Sequence, residues 1–181
     1  EKAPIDWKAK WIWLPRTSNQ DKNHVIIARK KFNISEIVKQ AELYITADSH
    51  YKIWINGHFV SRGPARCNPH HQSYDILNVE PFLIQGENII AVKAHYHGIM
   101  KSYYTDPYPG LLAQLEFVEG NKKKWVITDK TWKVQRDWSW DSRTEWVNRV
   151  NANNFSSCID FSKAIPHWQL TDYNDENWQN A

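Results

Sequence analysis

The sequence predicts an all-β fold, a β-sandwich or barrel, from three features of its pattern. Short apolar runs that alternate with polar residues recur along the chain, and glycine, proline and Asn-Gly turn signals separate them. No long segment carries the helical period, and no strand–helix–strand unit of about 30 residues is visible. With 181 residues, the chain is long enough to bury a core of its own.

Residues 41–75 are the stretch around which the rest of the chain is organised. Apolar residues alternate over 43–45 and, after a polar break, over 51–55, which predicts two strands with one buried face each. Asn56-Gly57 then predicts a tight hairpin, because a type I′ turn requires positive φ at both central residues. The return strand ends at Gly63-Pro64. The loop that follows is rich in polar and ring-bearing side chains, namely Asn68, His70, His71 and Tyr74.

Five further segments show the two-residue period of a strand. They are Val25–Ile34, Asn88–His97, Leu111–Val118, Trp125–Ile127 and Trp132–Val134. In the first segment Ile26, Ala28 and Phe32 share one face, and the charges lie opposite. The second segment has Ile90, Val92, Ala94 and Tyr96 on one face and Ile89, Ala91, Lys93, His95 and His97 on the other.

The two ends of the chain are less regular. Trp11–Leu14 is apolar throughout, which predicts a short strand buried on both faces or lying across a sheet edge. From Asp137 onward, Trp residues are spaced among polar residues with little alternation.

Charge and composition exclude some classes of function. The net charge is only +3, and the two basic clusters, Arg29–Lys31 and Lys122–Lys124, form no continuous stripe, which disfavours nucleic-acid binding. No run of 18 apolar residues exists to span a membrane. Cys67 and Cys158 are the two cysteines, and the sequence leaves open whether they pair or stay free thiols.

The histidine residues are the first candidates for a catalytic site, because they could bind a metal ion. His95 and His97 project from the same strand face, and His58, His70 and His71 could add metal ligands, but the residues directly after the pair, Gly98–Ser102, include no acid. Two partly buried, hydrogen-bonded histidines are therefore preferred to a metal site.

Two further kinds of catalysis fare no better. Cys67 near His70 and His71 lacks any motif of a nucleophilic cysteine. Candidates for a glycosidase carboxylate pair are Asp48, Asp75 and Asp106, which lie in contexts where Asp more often bonds the backbone of a turn. We predict no catalytic residue, no metal and no cofactor.

The remaining signal is a mixture of aromatic and polar residues in loops. The chain has 11 Trp, and rings beside Asn, Gln, Asp and Arg suit carbohydrate, whose CH faces stack on rings while its hydroxyls need polar partners. The alternative is that the Trp rings close the ends of a sandwich or cover an interface. Loops 66–75 and 95–108 supply the candidate sugar contacts. These are Arg66, His70, His71, Tyr74, His95, His97, Tyr103 and Tyr104.

An ordered series of segments resembles a known family. The series runs through Trp11-Ile12-Trp13, Arg29–Phe32, AELYITADSHYKIWINGHFV, Gly63–Arg66, Tyr74-Asp75, GENIIAVKAHYHG, GLLAQLEF and TDKTWKV. Together these segments resemble the N-terminal β-sandwich domain of bacterial α-L-rhamnosidases of glycoside hydrolase family 78. That domain is a jelly roll similar to galactose-binding-like domains. The resemblance covers residues from about 7 to 135 by motif order.

The resemblance implies a function and a domain division. The catalytic acids of the family lie in a downstream (α/α)6 barrel. This chain is therefore expected to be a non-catalytic accessory module that supports the barrel or binds carbohydrate, for example a rhamnose-containing glycan. Residues 1–150 would be the sandwich, and 151–181 a linker and the start of a following domain. We expect a secreted or periplasmic protein. A free-standing lectin-like domain and a histidine–metal enzyme remain the alternatives.

Overall fold

The computed structural model describes residues 5–15, 22–65, 67, 72–99, 108–149 and 152–181, and nearly all of its regular structure is β-strand. The strands are β1 His24–Ile34, β2 Val38–Asp48, β3 His50–Ile55, β4 His58–Gly63, β5 Asp75–Asn78, β6 Gly86–Tyr96, β7 Gly110–Glu119, β8 Lys122–Ile127, β9 Lys133–Arg136, β10 Trp146–Arg149, β11 Ala152–Phe155 and β12 Gln179–Asn180. Two short 3-10 helices cover Glu80–Phe82 and Phe161–Lys163. No helix in the described ranges is long and apolar enough to cross a membrane.

The strands form two antiparallel sheets that pack face to face. The six-stranded sheet has the order β12-β9-β1-β6-β3-β4, and the four-stranded sheet has the order β5-β2-β7-β8. Strands β10 and β11 form a separate hairpin. The predicted all-β jelly-roll sandwich of the galactose-binding-like class is confirmed.

Alternation along the strands builds the core between the sheets. One face of β6 and one face of β7 supply buried residues, as the two-residue period predicts. These are Ile90, Val92, Ala94 and Tyr96 from β6, and Leu111, Ala113, Leu115 and Phe117 from β7. The indole ring of Trp132 is fully buried in the same cluster.

The hairpin at Asn56-Gly57 forms as predicted. Asn56 has φ 50° and Gly57 has φ 81°, the positive values that a type I′ turn needs. The Asn56 side chain also ties the turn to β6, because its Oδ1 accepts the Ile89 N–H at 2.9 Å and its Nδ2 donates to Asn88 at 2.8 Å. A Cβ at position 57 would lie 2.6 Å from the Leu170 side chain, so the turn also fits closely against the C-terminal segment.

Two predicted segments differ in detail from the structure. The chain changes sheet at Ser49, because β2 belongs to the four-stranded sheet and β3 to the six-stranded sheet. At the N-terminal end, the predicted strand over Trp11–Leu14 reduces to one bridge between Ile12 and Leu111. Trp13 is buried there, while half of Trp11 is exposed.

The C-terminal segment, residues 160–181, packs on the outer face of the six-stranded sheet. Trp168 and Trp178 are buried in contact with Ile27, Ile89 and Ala91. These three residues lie on the face of β1 and β6 that is turned away from the core. Strand β12 then pairs with β9. The division of the chain at residue 150, with a following domain beginning beyond it, stays a prediction.

Arg29 fastens this segment to the sheet. Its side chain is fully buried, forms an ion pair with Asp175, and donates to the carbonyl oxygens of Leu170 at 2.7 Å and Tyr173 at 3.2 Å. The guanidinium also lies 4.9 Å from the Tyr173 ring. Burial lowers the pKa of Arg29, and the neighbouring carboxylate of Asp175 acts to raise it. The charged side chain of Arg29 therefore contacts protein rather than solvent.

Replacing Arg29 by Met should destabilise the protein by about 3–5 kcal/mol, because the change leaves the Asp175 carboxylate without its buried partner. Urea unfolding measures the loss, with Lys31→Met, on the same strand but half-exposed, as the matched control. The double variant Arg29→Met/Asp175→Leu should recover much of the stability, since no lone charge remains. A loss for Arg29→Met no larger than that of the control would contradict this role.

Candidate functional site

A cleft of about 740 Å³ opens on the outer face of the six-stranded sheet, beside the C-terminal segment. Its lining combines two rows of strand residues with a wall from Trp140, Ser157 and Ile159 and a rim from the end of β4. The lining residues are Val25, His50, Tyr51, Lys52, Arg62, Gly63, Pro64, Ala65, Asp75, Lys93, His95, Trp140, Ser157 and Ile159.

Strand register builds the first row of the floor. His95 of β6 lies opposite Val25 of β1 and opposite His50 of β3. Directly paired residues in antiparallel strands point to the same face, so these three side chains stand side by side.

The second row lies two residues further along the same strands. Lys93 of β6 is opposite Lys52 of β3, which is opposite Arg62 of β4. Two residues along a strand cover about 7 Å, so the histidine row and the cationic row are close neighbours on one surface.

Trp140 forms the wall and is held in place by polar contacts. Its ring centroid lies 4.8 Å from that of His95, and its Nε1 donates to Asn23 Oδ1 at 3.0 Å. The same Asn23 oxygen is 2.8 Å from His95 Nε2. Because that oxygen only accepts, His95 Nε2 carries the hydrogen and Nδ1 is left as an acceptor. The isolated bridge between Trp140 and Ile159 completes the wall.

His95 and His97 are uncharged at neutral pH. Burial, with the nearby imidazoles of His97, His50 and His24, lowers the pKa of His95 to about 2. Burial and the neighbouring His50 lower the pKa of His97 to about 3. His95 therefore presents a polar, uncharged side chain on the floor of the cleft.

The two lining groups nearest the rim are Tyr51 and Asp75. The Tyr51 hydroxyl donates to the Asp75 carboxylate, and burial together with this hydrogen bond raises the pKa of Tyr51. Gly63 passes so close that a Cβ there would lie 2.1 Å from Asp75 Oδ2. A side chain at position 63 would displace the carboxylate.

Lys93 has a partner behind the cleft. Its Nζ lies 2.7 Å from Asp137 Oδ2 and 6.0 Å from the centroid of the Trp168 ring. Burial acts to raise the pKa of Asp137, but hydrogen bonds from Lys93 and Ser139 hold that pKa below its ordinary value. The carboxylate therefore stays charged and balances Lys93.

Comparison with known sequences identifies the family. The profile described as "Alpha-L-rhamnosidase N-terminal domain" matches residues 36–181. The chain belongs to this family. The match extends beyond the segments that carried the sequence resemblance and takes in the C-terminal segment.

Relatives and solved structures agree with this assignment. The chain is 32% identical over 193 aligned residues to an α-L-rhamnosidase of Formosa agariphila, covering 96% of this chain and 20% of that protein. The structure of a family 78 rhamnosidase of Bacillus sp. GL1 superimposes with TM-score 0.85 at 30% identity, covering 98% of this chain and 18% of the other. An α-L-rhamnosidase structure from Dictyoglumus thermophilum gives TM-score 0.76 at 25% identity, covering 97% of this chain and 21% of the other. The chain thus spans about a fifth of the length of these relatives.

Of the eight predicted sugar contacts, three lie within the described residues of this rhamnosidase N-terminal domain. His95 lines the cleft, while His97 is fully buried and does not line it. The centroid of the His97 ring lies 4.5 Å from that of His95 and 5.1 Å from that of His50. Tyr74 packs against Trp7 and Tyr44 beside the four-stranded sheet and does not line the cleft. The other five, Arg66, His70, His71, Tyr103 and Tyr104, lie outside the described residues.

The described residues do not form any of the three catalytic arrangements considered above, namely a metal site, a cysteine nucleophile or a carboxylate pair. No group of three His, Cys, Asp or Glu residues among them is arranged to hold a metal ion. Cys67 and Cys158 are free thiols. Asp48 and Asp75 line different clefts, and Asp106 lies outside the described residues.

His95 is the one predicted sugar contact among the described residues that line the cleft, so sequence reasoning missed most of the cleft, including the cations Lys52, Arg62 and Lys93 and the wall residue Trp140. The alternation of β6 already placed Lys93 beside His95, which was a usable signal. The pairing of β3 with β4 shifts by one residue between Trp54 and Ile53, and as a result Lys52 pairs with Arg62. Without this shift, the register set by the tight turn would pair Lys52 with Ser61. An extra residue of this kind cannot be seen in the alternation of a six-residue strand.

The buried histidines should make stability depend on pH. Since their pKa values in the folded state lie below the ordinary value of 6.5, the unfolded chain binds more protons at acidic pH, and stability is lost as pH falls below about 6.5. Each histidine should contribute a slope of about 1.4 kcal/mol per pH unit. Urea unfolding between pH 7 and pH 5 should show a shallower slope for His95→Gln than for wild type. The exposed His58→Gln is the control, and equal slopes for His95→Gln and wild type would contradict the expectation.

Proposed function

We propose that the chain is a non-catalytic module of an α-L-rhamnosidase and that it binds carbohydrate in the cleft on the six-stranded sheet. Family membership supports the parent enzyme, and the composition of the cleft supports the ligand. The observation that carries the proposal is the Trp140 wall, held in place above a floor of hydrogen-bonding side chains.

The cleft offers the two kinds of contact that a sugar needs. The Trp140 ring and Ile159 present an apolar wall for the CH face of a sugar, and nearly half of Ile159 is exposed. His50 and His95 on the floor present polar atoms for hydroxyl groups. Asn23 holds both Trp140 and His95, so the wall and floor keep their arrangement before a ligand arrives. Such preorganisation reduces the entropy lost on binding.

The same cleft is poorly suited to glycoside hydrolysis. That reaction requires two carboxyl groups, about 5–10 Å apart, on either side of the scissile bond. Among the described residues that line the cleft, Asp75 is the one carboxylate, and it accepts a hydrogen bond from Tyr51. This composition supports a binding role rather than a catalytic one.

The remaining parts of the proposal concern the parent protein. Because the chain spans about a fifth of its relatives, rhamnoside hydrolysis is assigned to a catalytic (α/α)6 domain elsewhere in the parent. We place that parent outside the cytoplasm, in a secreted or periplasmic location.

A supporting role for the catalytic domain is the second candidate function, and the four-stranded sheet favours it. The surface of that sheet exposes 40% of each of Tyr74, Ile76 and Trp125. Tyr74 also contacts the rings of Trp7 and Tyr44. Tyr44 lies directly opposite Ile76, so exposed apolar residues cluster at the β5 edge, as is typical of interaction surfaces. The two roles use opposite faces of the sandwich, so the module can perform both.

Blocking the cleft should abolish glycan binding. Ser157 is exposed and lines the cleft, so Ser157→Trp should fill it, while Ser156→Trp places the same ring on a neighbouring exposed residue outside the lining. Titration against rhamnose, galactose and a panel of plant and microbial polysaccharides, followed by Trp fluorescence and calorimetry, should detect a ligand whose affinity falls about tenfold or more in Ser157→Trp alone.

Three results would contradict the proposal. The first is binding that persists in Ser157→Trp, and the second is an absence of binding by wild type across the whole panel. The third is release of the aryl group from an aryl α-L-rhamnoside by the purified chain, with loss of that activity when one of its acids is replaced.

A further inference from the structure

We propose that the glycan taken by this cleft carries an anionic substituent, a carboxylate or a sulfate ester, which binds the cationic row of Lys93, Lys52 and Arg62. The inference rests on the proposed carbohydrate-binding function and names the chemical class of its ligand.

The cationic row is costly to the isolated domain. Lys52 lies directly opposite Lys93 on one side and Arg62 on the other, so three cations occupy adjacent positions on three neighbouring strands. Side chains at such positions have Cβ atoms about 4.5–5.5 Å apart, and like charges placed directly opposite destabilise a sheet. An anion bound across the row would relieve this repulsion.

The protein balances only part of this charge. Asp137 pairs with Lys93 at 2.7 Å. Lys52 and Arg62 are exposed, and neither has an ion-pair partner within the described ranges. Asp75, the carboxylate of the lining, accepts the Tyr51 hydroxyl. Two cations therefore face the cleft without an ion pair to any described residue, and Asp75 is the one carboxylate among the described residues that line the cleft with them.

The other lysine cluster of the chain provides a contrast. On β8, Lys123 pairs with Glu116 at 2.6 Å, and Lys124 pairs with Glu119. Two of the three lysines of that cluster are therefore paired by the adjacent strand β7. The row in the cleft is not balanced in this way, which points to an external anion.

The residue types suit a carboxylate or sulfate on a sugar. Arg62 can donate two parallel hydrogen bonds to a planar carboxylate or to two sulfate oxygens, and Lys52 adds a compact charge. The His50–His95 row, about 7 Å away along the strands, remains available for the hydroxyl groups of the same ligand. Trp140 stands beside that row. One sugar unit and its substituent can contact both rows.

Three polymers with one backbone test the inference: dextran, carboxymethyl dextran and dextran sulfate. Wild type is compared with Lys52→Gln/Arg62→Gln and with the control Lys39→Gln/Lys122→Gln, which removes the same charge from exposed residues of the four-stranded sheet. Affinity electrophoresis at low and high salt should show binding of a charged polymer that is about tenfold weaker or more in the cleft variant and unchanged in the control. The cleft variant should also melt no lower than wild type, because like-charge repulsion is removed.

The outcomes separate the anion and the function. Binding of carboxymethyl dextran alone identifies a carboxylate ligand, and binding of dextran sulfate alone identifies a sulfate ester. Equal losses in both double variants would show general attraction to a polyanion and overturn the inference. If Ser157→Trp abolishes binding of a neutral glycan that the cleft variant still binds as wild type does, the binding function stands and the anionic ligand is wrong. If wild type binds neither the charged dextrans nor any glycan of the panel, both proposals fail.

Discussion

The buried guanidinium of Arg29 determines how the outer face of the six-stranded sheet is used. Its ion pair with Asp175 and its hydrogen bonds to Leu170 and Tyr173 hold the C-terminal segment on that face. The segment covers the apolar part of the face at Ile27, Ile89 and Ala91 with two Trp rings. A buried ion pair adds little net stability compared with apolar residues of equal size, but the loss of one partner is severe. Arg29 therefore fixes where the segment lies rather than supplying the bulk of the stability.

The cleft is the part of the same face that the segment leaves open. Trp168 of the segment approaches Lys93, and Ser157 and Ile159 approach from the other side. Burial then divides the floor into two chemical halves. Desolvation keeps His95 neutral, whereas Lys52 and Arg62 are exposed cations. A single sheet surface thus presents a polar histidine half and a cationic half to one ligand.

The sequence was informative wherever the cause of the structure is local. The alternation in residues 88–97 and 111–118 predicted both strands and their buried faces, because the side-chain period follows from strand geometry. Asn56-Gly57 predicted its turn, because few other residues accept positive φ at both positions.

Features that depend on distant partners were not predictable in this way. Arg29 meets Asp175 across 146 positions of sequence, so nothing near Arg29 marks it as buried. Strands β10 and β11 pair within a polar stretch that lacks alternation. At the end of the predicted loop 66–75, Asp75 lines the cleft, while its neighbour Tyr74 packs against Trp7. The other contacts predicted from that loop, Arg66, His70 and His71, lie outside the described residues and stay a prediction.

Hydrogen–deuterium exchange on the intact chain, with and without a glycan that it binds, tests most directly that the outer-face cleft is the binding site. The account predicts that the ligand slows exchange in the segments that line the cleft, at residues 50–52, 62–65, 93–95 and 157–159. Exchange on the four-stranded sheet, around residues 74–78 and 122–127, should not change. Slowed exchange confined to the four-stranded sheet would contradict the account and place the sugar on the opposite face of the sandwich.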